Sequence, residues 1–189
     1  MRRDGAKAKL LSVARAEFLR YGFDGTDVSR IARKAGVAPN TFYRYFKGKV
    51  DVFIAVYLTW AVEENRAFEQ LIAKRGTVAE IVQAVILRHR QHVWFRRSVR
   101  RLAHDDTFVR RAVALARHDI LATLAAWAGA AADPSALAAD LIQYEQLAVA
   151  LAEAELGDLA IDDSALRGRM ADMLMRWRIR AIQGPAARA

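Results

Sequence analysis

The feature that most narrows the fold is a series of apolar residues at helical spacing that glycine breaks twice, at Gly22 and Gly36, before residue 50. Leu10, Leu11, Ala14 and Phe18 share one stripe of a helix over about Asp4–Tyr21. Gly22 ends it, as a glycine just past a periodic run commonly does. Val28, Ile31 and Ala32 turn inward from a short helix over about Asp27–Ala35, which Thr26 or Asp27 can cap. Gly36 breaks that helix, Val37 packs, and a third helix starts near Pro39 and runs to Phe46. Two short helices about a tight glycine turn form a helix-turn-helix pattern.

The rest of the chain reads as helix as well. After Lys47-Gly48 a long helix covers about Lys49–Lys74, closed by Arg75-Gly76. Thr77-Val78-Ala79-Glu80 is a capping box that opens a helix reaching about His89. A basic stretch around Arg96–Arg101 follows, and Asp105 or Asp106 caps a helix to about Ala128. Asp133-Pro134-Ser135 starts another, ending near Leu156-Gly157, and a last one spans about Asp163–Ile182 before the tail Gly184–Ala189. No strand-like alternation and no internal repeat interrupts the pattern. An all-α chain of about nine helices is expected, with residues 1–50 as an N-terminal three-helix head and residues 51–189 as a helical body.

Charge separates those two parts. Residues 1–50 hold 12 Lys/Arg against four acids, a net +8 of the chain's +9, while the other 139 residues hold 18 against 17. A basic head on a near-neutral body is the footprint of a polyanion binder, because neutralised phosphates release counterions. With 54% apolar residues and only 3 Pro and 10 Gly, the chain can bury a core and favours helices. The absence of Cys rules out disulfides, thiolate metal sites and a Cys nucleophile. No apolar h-region follows Arg2-Arg3 and no run approaches the ~18 residues that span a bilayer, so a soluble cytoplasmic protein without membrane partners is expected. No nucleophile–base pair, phosphate loop or cofactor motif points to an enzyme. His89 and His92 lie at i, i+3 with His104 further on, but no Cys or acid cluster completes a metal site.

Thr41-Phe42-Tyr43-Arg44-Tyr45-Phe46 carries the functional signal. Phe42 and Phe46, four apart, share one helix face and can bury against the first two helices. Tyr43 lies to the other side with Pro39, Asn40 and Arg44, in the first turns of the third helix, where base edges are normally read. Arg44 can pair with guanine or phosphate, and Lys49 adds charge beside a helix N-terminus. The span Leu10–Val52 resembles the head of the TetR/AcrR family of bacterial regulators. The matched residues are Leu10-Leu11, Ala14, Phe18, Gly22-Phe23, Thr26, Val28, Ile31-Ala32, Ala35-Gly36-Val37, Thr41-Phe42-Tyr43, Tyr45-Phe46 and Lys49. The motif covers about a quarter of the chain; the remaining helices match the family in number and length only.

The resemblance implies phosphate contacts from Thr26, Thr41, Tyr43, Tyr45 and Lys49, and places Pro39, Asn40 and Arg44 towards the bases. Tyr43 and Lys49 are otherwise solvated surface. The arm Arg2, Arg3 and Lys7 either follows the DNA or is disordered. Two departures bear on the operator: Ala38 stands where the family often has a capping residue, at a cost of ~1 kcal/mol, and Asn40 replaces a common Gly.

For the body, the resemblance implies a small-molecule effector, largely apolar, and a homodimer. Leu137, Leu141, Tyr144, Ala148 and Leu151 form one stripe, and Leu166, Met170, Met173, Leu174, Trp177 and Ala181 another. Two such faces per subunit can build a four-helix seam, or each can face its own core. Trp60, Phe68, Trp94, Phe95, Phe108, Trp127 and Tyr144 can enclose an effector cavity or serve as plain core. Arg96, Arg97, Arg100 and Arg101 can meet an anionic effector such as an acyl-CoA phosphate, or form a solvated or interface face. The expected function is a ligand-responsive repressor on a pseudo-palindromic double-stranded DNA operator. A nonspecific architectural DNA binder is the nearest rival, and an enzyme a distant one.

Overall fold

The computed structural model describes residues 2–74, 76–129 and 132–183, with the side chains of residues 2–4 and 158 excepted. The arm residues Arg2 and Arg3 and the tail Gly184–Ala189 therefore lie outside the described side chains. Among the described residues there are nine α-helices and one short 3₁₀ turn. They are α1 (Arg2–Tyr21), α2 (Val28–Lys34), α3 (Pro39–Tyr43), α4 (Lys49–Ala73), α5 (Val78–Gln91), α6 (Val93–Asp105), α7 (Thr107–Ala128), α8 (Pro134–Glu153) and α9 (Ser164–Gln183). None is long and apolar enough to cross a membrane.

The stops and starts follow local chemistry. Gly22 takes φ +69°, the left-handed conformation that ends α1. Asp27, not Thr26, caps α2, its carboxylate accepting from the Arg30 N–H at 2.7 Å. The expected capping box opens α5 in both directions: the Thr77 N–H donates to Glu80 at 2.7 Å, and the Glu80 N–H donates to the Thr77 hydroxyl at 3.3 Å. Asp106 accepts from the Phe108 and Val109 amides at the start of α7, and Asp133 from Ser135 at the start of α8. α3 is shorter than expected. It stops at Tyr43, and the chain turns on through Tyr45, whose N–H reaches the Phe42 carbonyl at 3.0 Å.

α6 is a helix that the sequence pattern does not predict. The arginines between residues 96 and 101 hide its stripe, yet Phe95, Ser98, Val99 and Leu102 are its buried face. This helix changes how the chain divides. The compact units do not break at residue 50: one comprises residues 1–62 with 92–116, the other 63–91 with 117–189.

The first unit closes around Leu10, Phe18, Ile31, Phe42, Phe53, Trp60 and Phe95. Phe18, Phe23, Phe53 and Phe95 form a chain of rings with centroids 5.1 to 6.2 Å apart. α6 packs on α1 within this unit. By sequence, the unit carries 18 Lys/Arg against 7 Asp/Glu, a net +11, and the other 12 against 14, a net −2. The charge asymmetry is thus sharper than a cut at residue 50 shows, because α6 and the start of α7 bring six more arginines.

In the second unit α5, α8 and α9 pack on one another. Leu137, Leu141, Tyr144, Ala148, Leu151, Met170, Met173, Leu174 and Trp177 are buried inside this unit, with Leu166 half-buried against them. Both stripes expected at a subunit seam therefore face the chain's own core. Periodicity locates an apolar face but does not say what covers it, and α5 does. The outward side of α8 and α9 exposes Ile142, Met175, Ile179 and Ile182 instead.

Candidate nucleic-acid interface

α2 and α3 stand at the turn that Gly36 makes, with φ +68° and its N–H on the Arg33 carbonyl at 3.1 Å. The Val37 amide donates to the Ala32 carbonyl at 3.1 Å, so two hydrogen bonds close the turn. α3 begins on Pro39 with no side-chain cap, since Ala38 has none to offer. Pro39 is well placed there, because its missing N–H would have been an orphan.

The faces of α3 sort as its spacing requires. Phe42 is fully buried, Phe46 nearly so, and their rings lie 5.4 Å apart. Pro39, Asn40, Tyr43 and Arg44 are exposed, Tyr43 by 60%, while Thr41 and Tyr45 are half-buried. A buried aromatic pair thus holds out an opposite edge of amide, phenol and guanidinium.

The other candidates differ in setting. Thr26 is only 2% exposed and its hydroxyl donates to the Gly22 carbonyl at 2.9 Å, so it braces the α1–α2 turn. Lys49 places its amine 4.0 Å from the Phe23 ring centroid. Partial burial lowers its pKa from the usual amine value, against the opposing pull of the Asp24 and Asp27 carboxylates.

Three features of the head have little or no trace in the sequence. Glu17 is buried and accepts from Lys34 at 2.6 Å, with the Arg30 guanidinium at 2.6 Å. Arg30 also donates to the Gly25 carbonyl and lies over the Tyr21 ring at 4.9 Å. Ser98 of α6 accepts from the Phe23 amide at 2.8 Å, and Arg101 pairs with Asp24 at 2.7 Å. Glu17, three positions after Ala14 and seven after Leu10, falls on the Leu10–Phe18 face, which is a weak signal of a buried acid; contacts more than 70 residues apart give none.

The effector candidates split between the units. In the first, Trp60 and Phe95 are buried with rings 5.2 Å apart, and the Arg96 guanidinium lies 4.6 Å from the Trp60 ring. Trp94 and Phe108, at 57% and 66% exposure, do not join them. Each sits one position from a buried residue, Phe95 and Val109, and so points about 100° away from it. In the second unit Phe68 meets Trp127, Tyr144 and Trp177 at 6.4, 5.4 and 5.7 Å. That cluster takes in Trp177, which the sequence assigned to the seam. A cleft of about 330 Å³ beside it in the fold, lined by Leu71, Lys74, Thr77, Glu80 and Ile81 among others, contains none of the candidates. No group of three metal-ligating side chains occurs among the described residues.

Comparison with known proteins agrees with this geometry. Residues 10–56 match the family model for bacterial regulatory proteins of the tetR family. A fatty acid metabolism regulator protein of Bacillus subtilis (strain 168) is 35% identical over 68 residues, which is 36% of this chain and 35% of that protein. The HTH-type transcriptional regulator YdgC of the same strain is 30% identical over 82 residues, 43% of this chain and 42% of its own length. The matched stretch therefore spans well under half of these curated relatives. Solved structures cover far more. A TetR-family regulator from Mesorhizobium loti aligns over 94% of this chain and 96% of its own, with TM-score 0.65 and 17% identity. FadR from Bacillus subtilis, solved in complex with stearoyl-CoA, aligns over 89% and 97%, with TM-score 0.50 and 21% identity. At such identities the likeness shows the fold.

Proposed function

We propose, for a chain that belongs to the TetR family of bacterial regulatory proteins, a homodimeric DNA-binding repressor that a small molecule releases. Each subunit lays α3 in the major groove of a pseudo-palindromic operator, with half-sites about one helical turn apart. The observation that carries this reading is the exposed edge Asn40, Tyr43 and Arg44 held out by buried Phe42 and Phe46 in a unit of net charge +11. Asn40 and Arg44 read base edges; Thr41, Tyr43, Tyr45 and Lys49 meet phosphates; Thr26 acts on them through the turn it braces.

The subunits pair through the outward side of α8 and α9, at Ile142, Met175, Ile179 and Ile182, because the inward stripes are already covered. The effector acts on the body and favours a state in which the two heads no longer match the operator, which shifts the equilibrium away from DNA. A relative of the same fold is a regulator seen with stearoyl-CoA, so long-chain acyl-CoA esters are the first effectors to test.

Selection of bound fragments from random and genomic duplexes tests the reading. Recovery of a palindrome whose half-sites lie one turn apart supports it. Equal retention of random and selected duplexes at physiological salt points instead to an architectural binder.

A further inference from the structure

The α1–α2 turn of the head is not held by the head alone. Its Phe23 amide donates to the Ser98 hydroxyl of α6 at 2.8 Å, and that hydroxyl donates onward to the Trp94 carbonyl at 2.8 Å. Ser98 is 7% exposed, so the acceptor of the Phe23 N–H is a buried hydroxyl. The approach is close enough to need glycine: a Cβ on Gly22 would stand 2.8 Å from the Ser98 hydroxyl and 3.0 Å from the Trp94 carbonyl, and φ is +69°. One turn further along α6, the Arg101 guanidinium holds both Asp24 oxygens, at 2.8 and 2.7 Å. Phe23, fixed between these two ties, is the ring on which Lys49 rests at 4.0 Å.

We infer that Ser98 and Arg101 are positioning residues for DNA recognition: α6 latches the Phe23–Asp24 turn and through it seats Lys49 for its phosphate. The inference rests on the DNA-binding reading above. It makes the reader of the operator a unit of residues 1–62 and 92–116, so that residue 98 acts on affinity without touching DNA. The loss of either tie frees the turn and lowers the fraction of molecules whose head is ready to bind.

The test uses the full chain, with two variants and two readouts: amide hydrogen exchange, and affinity for a selected duplex. Ser98→Ala leaves the Phe23 N–H without its acceptor. Exchange at Phe23 should rise at least about tenfold and duplex binding weaken about tenfold, while exchange at Ile86 and Trp177 in the other unit stays unchanged. Ser98→Thr keeps the hydroxyl and its bond to the carbonyl four residues back, and should return affinity to within about threefold. Asp24→Asn, at an exposed site that tolerates it, separates the latch from simple charge. Added positive charge alone would tighten duplex binding, whereas a loosened turn weakens it. Wild-type affinity in Ser98→Ala together with tighter binding by Asp24→Asn overturns the latch and leaves the DNA-binding reading intact. Failure of the unmodified chain to bind any duplex overturns both.

Discussion

In the head, one carboxylate is buried, and its pairing decides which cations are free to face outward. Glu17 is 4% exposed and pairs with Arg30 and Lys34 across from α1 to α2. A count of basic residues therefore overstates the charge presented to DNA, and exposed Lys7, Lys9, Arg33, Arg44 and Lys47 carry more of it. Because both partners keep some solvent, Glu17→Gln should cost about 1 kcal/mol, read as a lower urea midpoint, rather than the larger penalty of a fully buried pair. An unchanged midpoint would show that the pair does not tie α2 to α1. Phe42 is the opposite case, wholly apolar and fully buried, and Phe42→Ala should destabilise the first unit by about 3–5 kcal/mol. At the surface, Lys49→Ala should flatten the salt dependence of binding by about one unit of slope, against no change if Lys49 meets no phosphate.

The helices show what a sequence can and cannot reveal. The Thr77–Glu80 box opens α5 as its spacing requires, and it makes a pH prediction. The Thr77 backbone N–H, and then its hydroxyl, hold the Glu80 carboxyl below the usual glutamate range. The folded state then releases this proton more readily than the unfolded one, so the contribution is complete above the unfolded pKa and fades as pH falls through the folded one. Acid unfolding monitored on α5 should lose this dependence in Glu80→Gln; the same profile in both chains would contradict it. Caps, glycine stops and the Phe42–Phe46 face were legible because their causes lie within four residues. α6 was not, because arginines at 96, 97, 100 and 101 break the apolar run that marks a helix, although Phe95, Val99 and Leu102 keep its spacing. The stripes of α8 and α9 are visible as stripes, but that α5 covers them depends on contacts distant in sequence, between helices that begin at residues 78, 134 and 164. The Ser98–Phe23 bond, 75 residues apart, left no local trace at all.

At the scale of the chain, the two units differ in charge and in surface: +11 on the one that holds α3, −2 on the one whose α8 and α9 expose Ile142, Met175, Ile179 and Ile182. In the proposed dimer these exposed apolar side chains are the ones that a second copy of the chain covers. Ile179→Asp should leave the fold in place and shift the protein from dimer to monomer in sedimentation, with operator binding weakened because the half-sites are no longer bridged; a persistent dimer would place the seam elsewhere. The decisive measurement is the affinity of the purified protein for its selected palindrome and for a scrambled duplex, followed across salt. Tight, salt-sensitive binding to the palindrome is expected, weakened across all sequences in Tyr43→Ala and redirected to other base pairs in Asn40 and Arg44 variants. Binding that ignores both salt and those three side chains would show that α3 is not the surface that meets DNA.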